Sequence, residues 1–169
     1  MRHSFKSLKQ NIIMKIKNIK WLLTLLILPF LAACSWEDLP AYEDAEITGV
    51  QFYTRWASST QTDPITGEPV VKEQRLNSTA TINSEEGTIS VNITVPAVSN
   101  TFPADARAAC SLDKLWAQVS LSTAARLTPI EGSKPLGTPD NFTQPRKYSV
   151  MAADGTTKVW TITVAQFNK

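Results

Sequence analysis

The eight residues TISVNITV (88–95) alternate strictly between polar and apolar side chains. The apolar positions are Ile89, Val91, Ile93 and Val95, and every residue between them is Thr, Ser or Asn. Because all four apolar side chains are β-branched, they suit a pleated strand with one buried and one solvated face. The stretch therefore predicts a half-buried β-strand, and similar alternation recurs along the chain.

Two hairpins are predicted from this alternation and from the turn residues within it. In residues 79–95, polar and apolar side chains alternate on both sides of SEEG (84–87), which supplies a turn. Residues 148–164 alternate in the same way around Asp154-Gly155. Asp-Gly is a strong hairpin signal because glycine readily adopts the positive φ that a tight turn needs. One hairpin is thus expected in the middle of the chain and another at its end.

Weaker alternation predicts the remaining strands. The candidates are a strand with Val50, Phe52, Thr54 and Trp56 on one face, and the segments 69–76, 116–121 and 124–127, the last of which ends before Pro129. Between strands, only residues 105–115 are suited to a helical turn or two, whereas a parallel α/β fold needs longer crossovers. The sequence predicts an all-β fold, an antiparallel sandwich of seven or eight strands. Its length of about 120 residues is enough to bury a core without disulfides.

The aromatic side chains divide between the two faces of these strands. Trp56 and Trp160 fall on apolar faces and are predicted to lie in the core. Tyr53 and Trp116 fall on outward faces, so they are candidates for stacking against the rings of a sugar ligand. Cys110 has only alanines, serine and leucine beside it, with no charge or base to activate its thiol, and is predicted to be buried.

The first 33 residues have the plan of a secretory signal peptide. Six of the 17 basic residues and none of the acids precede the apolar run at 21–31, and small residues follow it. As a helix, eleven to thirteen apolar residues would reach only about 20 Å, short of the roughly 30 Å hydrocarbon core of a bilayer. Residues 34–169 hold 11 basic and 15 acidic residues, a net charge of −4, so we expect no nucleic acid partner.

The sequence LAAC (31–34) follows the apolar run and resembles the bacterial lipobox. The resemblance implies that Cys34 is acylated on its thiol and, after cleavage, on its amine, which anchors the protein to a membrane. Each buried methylene adds about 0.8 kcal/mol, so several acyl chains hold essentially permanently. Glu37 and Asp38 belong to an acidic stretch that resembles the surface-export signal of Bacteroidetes lipoproteins, and a merely soluble linker is the alternative.

These features divide the chain into three parts. Residues 1–33 are the predicted signal peptide, residues 34–46 a lipidated cysteine with an acidic, solvated tether, and residues 47–169 the sandwich domain. Pro40 and the absence of apolar periodicity argue against a helix or strand in the tether. The predicted location is the outer membrane, with the protein lipid-anchored and facing the cell exterior.

The chain lacks the side chains of several common catalytic sites. His3, the only histidine, lies in the predicted signal peptide, so the mature protein has no imidazole for Ser-His-Asp or Cys-His catalysis or for a zinc site. No phosphate-binding or dinucleotide-binding glycine motif occurs. We therefore expect no enzyme activity, metal or cofactor. A hydrolase with two facing carboxylates would be the exception. Its candidate residues are Asp63, Glu73, Asp105, Asp113 and Asp140.

The segment 111–164 as a whole is similar to the Ig-like β-sandwich modules of Bacteroidetes surface lipoproteins. The matching positions are Leu112, Leu115, Pro129, Phe142, Pro145, Tyr148, Val150, Asp154, Gly155, Thr156, Trp160 and Val164. The resemblance implies an Ig-like fold whose motif residues are structural. Such modules often accompany outer-membrane glycan-uptake systems, which implies a non-catalytic role in polysaccharide capture. The alternative is a structural, adhesive or fimbrial-assembly component whose partner is another envelope protein.

Overall fold

The computed structural model describes residues 42–169. In chain order its elements are β1 (Ile47–Thr62), β2 (Pro69–Arg75), β3 (Asn77–Asn83), β4 (Thr88–Thr94), α1 (Ala104–Ala109), a 3-10 turn (Leu112–Lys114), β5 (Trp116–Leu121), β6 (Arg126–Ile130), β7 (Arg146–Met151) and β8 (Thr157–Asn168). The eight strands dominate this part of the chain, which confirms the all-β prediction. The helical segments are as short as the sequence predicts.

The strands form two sheets, in the orders β2-β1-β5 and β3-β4-β8-β7-β6. Every neighbouring pair is antiparallel except β4 and β8, which are parallel. The three-stranded sheet is therefore wholly antiparallel, as expected, whereas the five-stranded sheet is mixed. The hairpin with β7 sets the direction of β8, and that direction leaves β8 parallel to β4.

Alternating side chains from both sheets fill one core. In β4 the exposed and buried positions alternate along the whole strand, as its sequence predicts. Phe52 contributes from the smaller sheet, where its ring meets that of Phe142 at 4.8 Å with the planes nearly perpendicular. Trp160 is fully buried, as predicted, whereas Trp56 is only partly buried and packs against the edge of the core.

The buried thiol of Cys110 confirms another core prediction. Desolvation raises the pKa of this thiol above its usual value. Because the thiolate is the reactive form of cysteine, a raised pKa makes this side chain a poor nucleophile at neutral pH. Cys110 is therefore a packing residue.

Both predicted hairpins are present, and each depends on a glycine. In the first, Ile82 pairs with Ile89 across the SEEG turn, and Gly87 ends that turn with φ +63°. In the second, β7 and β8 flank a turn in which Gly155 has φ +92°. A side chain at either position would be strained, so the turn residues and the strand pattern specify the hairpins together.

The strand β6 differs from the prediction in containing a proline. Residues 124–127 were expected to form a strand that ends before Pro129, but β6 runs from Arg126 to Ile130 and contains that proline, which pairs with Tyr148. The difference follows from the position of β6 at the edge of its sheet. An edge strand has one side without a hydrogen-bond ladder, so it tolerates a residue that lacks an N–H.

The segment 42–46 contacts the sandwich instead of extending into solvent as a tether. Ala45 is buried, and its carbonyl accepts a 2.9 Å hydrogen bond from the indole Nε1 of Trp160. Glu46 forms an ion pair with Lys158, and the Tyr42 carbonyl accepts a 3.1 Å bond from the N–H of Ala153. Backbone carbonyls of this segment accept hydrogen bonds from a buried indole and from the β7–β8 turn, and these bonds hold the segment against the sandwich.

The predicted signal peptide, the lipidation site Cys34 and the acidic residues Glu37 and Asp38 lie outside the described residues. Within residues 42–169, no helix has the length and apolar character that crossing a bilayer requires.

Candidate functional site

Two predicted ligand-stacking residues meet on the outer face of the three-stranded sheet. Tyr53 on β1 and Trp116 on β5 are register partners, and their rings stack with centroids 4.6 Å apart and planes inclined by 24°. The adjacent partners Phe52 and Ala117 are buried in the core. Because side chains alternate along a strand, Tyr53 and Trp116 occupy the opposite, outward face, as the sequence predicts.

Trp116 is nevertheless covered. Its side chain is only 3% exposed, so the expectation that it presents an open ring to a ligand is wrong. Two side chains of the neighbouring strand β1 cover the indole. Tyr53 stacks on it, and the guanidinium carbon of Arg55 lies 3.7 Å from the indole centroid. Tyr53 itself remains partly exposed. Of the two aromatic candidates, Tyr53 is the one that a ligand could touch.

Arg55 is held in place by a cation–π contact and an ion pair. Its Nε lies 3.4 Å from a carboxylate oxygen of Glu73, its register partner on β2. Both side chains are substantially exposed, so the ion pair alone contributes little. Stacking over Trp116 gives the guanidinium a second, fixed partner. Arg55 therefore serves chiefly as part of the cover over the indole.

Gln51 and Arg75 form a hydrogen-bonded pair beside this aromatic cluster. Arg75 is the register partner of Tyr53, and its Nη2 donates to Oε1 of Gln51. The Nε2 of Gln51 donates to the Leu76 carbonyl at 2.8 Å and to the Ser78 hydroxyl at 2.7 Å. The amide oxygen of Gln51 thus accepts a hydrogen bond from Arg75, and its NH2 group donates to Leu76 and Ser78, where the chain passes from β2 to β3.

Two open grooves, of about 370 and 460 Å³, meet at Gln51 and Arg75. The first follows β1 and β5, and the second continues toward β3 and β4. Their polar lining includes Asn77, Ser78, Thr79, Asn92, Gln118 and Ser120. Amides and hydroxyls both donate and accept hydrogen bonds, so this lining is matched to a ligand that carries many hydroxyl groups.

The carboxylates considered for hydrolysis belong to different segments of the fold, and several have local partners. Asp63 accepts bonds from the N–H groups of Ile65 and Thr66, which lower its pKa. Asp140 is buried 3.4 Å from a guanidinium nitrogen of Arg146. Glu73 lies on β2, Asp105 in α1 and Asp113 in the 3-10 turn. Residues 42–169 hold no group of three or more acidic, histidine or cysteine side chains suited to a metal ion.

Sequence reasoning missed Arg75 and Gln118 as site residues. Gln51 and Arg55 share the outward register of Tyr53 and are recognisable from the alternation in β1. Arg75 and Gln118 join them only because β2 and β5 pair with β1 on either side. The alternation within a strand shows which side chains share its face, but it does not show which strands are neighbours.

The comparison with solved structures finds a crystal structure of a predicted secreted protein from Bacteroides fragilis NCTC 9343. The two chains are 48% identical over 77% of this chain and 100% of the other, with a TM-score of 0.69. No curated protein matches this chain. The family described as DUF5018-related matches residues 47–163, which cover the sandwich from β1 into β8. With well over half of its length matched, this chain belongs to the DUF5018-related family.

Proposed function

We propose that this protein is a non-catalytic surface lipoprotein that captures polysaccharide on the outer face of its three-stranded sheet. The observation that carries the proposal is the position of a partly exposed tyrosine: Tyr53 is the register partner of Arg75, which lines two grooves rich in amides and hydroxyls. An aromatic ring offers an apolar face to the C–H groups of a sugar, and the polar lining offers partners to its hydroxyls.

The contacts within the site favour binding over a purely structural role. Gln51 and Arg75 are already hydrogen-bonded to each other, and Tyr53 is stacked on a buried indole. Side chains that are fixed before a ligand arrives lose little conformational entropy when it binds.

The proposed location is the outer membrane, with the protein anchored by lipid and exposed to the exterior. LAAC (31–34) supports acylation of Cys34, and the acidic residues Glu37 and Asp38 support export to the surface. The similarity to a predicted secreted protein of Bacteroides fragilis supports a position outside the cytoplasm. An anchored module would hold captured polysaccharide at the membrane for other proteins to use.

The anchor is tested by radioactive palmitate labelling in the native host. We expect the wild-type chain to incorporate label and Cys34→Ser to incorporate none, whereas Cys110→Ser serves as the matched control that keeps it. Protease treatment of intact cells then tests whether the protein is exposed on the cell surface. Replacing Glu37 and Asp38 with alanine should keep the protein on the inner side of the outer membrane, where the added protease does not reach it. An unlabelled wild-type protein would overturn the proposed anchor.

The binding function is tested by isothermal titration of the full lipoprotein, in detergent, against a panel of neutral and acidic polysaccharides. We expect at least one to bind and Tyr53→Ala to weaken its affinity about tenfold, the loss of roughly one aromatic contact. Tyr42→Ala is the matched control, because Tyr42 is 56% exposed and contacts the β7–β8 turn. A folded protein that binds no polysaccharide, or that responds equally to both substitutions, contradicts the proposal.

A further inference from the structure

Arg75 is the one charged residue that lines either of the two grooves. Within residues 42–169, the ion pairs engage Arg55, Arg146, Lys147 and Lys158, and none engages Arg75. Its described side-chain partner is the neutral amide oxygen of Gln51. A guanidinium has five N–H donors, so most of the donors of Arg75 and its full positive charge remain available at the junction of the grooves.

The pair of Gln51 and Arg75 is built into the fold. Leu76, the next residue, is buried at the point where the chain leaves the smaller sheet and enters the larger one. The Gln51 amide donates to the Leu76 carbonyl and to Ser78, which leaves its oxygen directed at Arg75. The reversed amide would place an NH2 group against a guanidinium, so this orientation is the favoured one.

The net charge of the predicted mature chain, residues 34–169, would repel an anionic polymer. Residues 34–169 carry a net charge of −4, so general electrostatic attraction does not favour acidic ligands. A preference for such a ligand would have to arise from a local positive group. Arg75 supplies that group among neutral hydrogen-bonding side chains, and its planar fork matches the paired oxygens of a carboxylate or sulfate.

We propose that the grooves recognise an acidic polysaccharide, in which Arg75 binds a carboxylate or sulfate group of the sugar. Gln51 positions the guanidinium, and the surrounding amides and hydroxyls bind the hydroxyl groups of the same and adjacent sugar units. This inference rests on the proposed polysaccharide capture and names the chemical class of its ligand.

The test uses two ligand pairs, in each of which the two members share a sugar backbone and only one member carries anionic groups. Polygalacturonate is compared with its fully methyl-esterified form, and dextran sulfate with dextran, by titration of the full lipoprotein in detergent. We expect the charged member of at least one pair to bind ten times more tightly or better. The pair that shows this preference identifies the recognised group as carboxylate or sulfate.

Three substitutions locate the effect. Arg75→Gln should remove the preference by lowering affinity for the charged ligand at least tenfold, and Arg75→Lys, which keeps the charge without the planar fork, should give an intermediate affinity. Arg126→Gln is the control, because Arg126 is exposed on β6 of the other sheet. Equal thermal unfolding midpoints of wild type and variants show that folding is preserved.

The outcomes separate this inference from the proposed function. If neutral polysaccharides alone bind, the acidic ligand is wrong. If Arg75→Gln leaves the preference for the charged ligand unchanged, the role of Arg75 is wrong. Polysaccharide capture stands in both cases. Equal losses in Arg75→Gln and Arg126→Gln mean non-specific attraction and also overturn the assignment to Arg75. If no polysaccharide of the panel or of the two pairs binds the folded protein, both proposals fail.

Discussion

The outward side chains of β4, in the larger sheet, differ in kind from those of the smaller sheet. Along β4 of the larger sheet, the exposed residues are Thr88, Ser90, Asn92 and Thr94, which are small and polar. The smaller sheet instead presents two aromatic rings, two arginines and two glutamines that contact or pair with one another. A solvated face needs only small polar residues. The larger side chains of the smaller sheet form a second, outer layer of packing.

The sharpest test of this difference compares Trp116 with an exposed residue of β4. Trp116→Ala should lower the free energy of unfolding by about 3–5 kcal/mol, because it deletes a buried aromatic ring and leaves Tyr53 and Arg55 without support. Ser90→Ala should change it by about 0.5 kcal/mol or less. Urea unfolding measures both. A cost below about 1 kcal/mol for Trp116→Ala would show that the outer layer is not packed.

In the larger sheet, the backbone should be more sensitive than the outward side chains. A Cβ added at Gly87 would lie 2.3 Å from the Val159 carbonyl oxygen, and the φ of +63° disfavours any side chain there. Gly87→Ala should therefore cost about 3 kcal/mol in urea unfolding. Gly155→Ala, which also has positive φ but no atom within 4 Å of the added carbon, should cost only about 1 kcal/mol. Similar losses of stability at both positions would show that the positive φ alone causes the cost and that the short distance to the Val159 carbonyl oxygen adds nothing.

The positive charge of Arg55 should contribute less to the free energy of unfolding than the indole ring of Trp116 that Arg55 covers. Arg55→Met keeps an aliphatic cover over Trp116 and removes the cation, so we expect a loss of about 1 kcal/mol, measured by urea unfolding with tryptophan fluorescence. Glu73→Gln removes only the exposed ion pair and should cost about 0.5 kcal/mol or less. A larger effect of Glu73→Gln would reverse this order and make the ion pair the main restraint on Arg55.

Among these substitutions, Tyr148→Phe in the larger sheet should change the free energy of unfolding least at neutral pH. Burial and the nearby carboxylate of Asp140 raise the pKa of Tyr148 from 10.0 to about 12. Because the folded protein favours the neutral phenol, this contribution to stability is complete below pH 10 and is lost as the pH rises through about 12. Urea unfolding of Tyr148→Phe at a series of pH values should show a weaker alkaline loss than wild type. Identical profiles would exclude Tyr148 as the cause.

Local features of the fold were predictable because hairpins depend on neighbouring residues. The alternation around SEEG (84–87) and Asp154-Gly155 predicts the strands that pair across these turns, and the structure confirms both. The parallel pairing of β4 with β8 was not predictable, because these strands are joined through a long stretch of chain. The alternation within a strand shows which side chains share a face, but it does not show which strands that are far apart in the sequence lie side by side.

The candidate site was predictable only in part for the same reason. The outward register of Tyr53 and Trp116 is a local property, and the structure places both as expected. The cover over Trp116 depends on Arg55 folding across from the neighbouring strand, and the groove depends on Arg75 arriving from a third strand. These contacts join side chains from β1, β2 and β5, which no single stretch of sequence reveals.

The contacts of residues 42–46 also determine how the sandwich would respond to mechanical force. The Ala45 carbonyl is bonded to the indole of Trp160, and Glu46 is paired with Lys158 on the same strand. A pull on the chain at Tyr42 would therefore act first on these bonds and on β8, before it reached the paired length of β1. Such a pull would detach residues 42–46 before it disturbed the face that carries Tyr53 and Arg75.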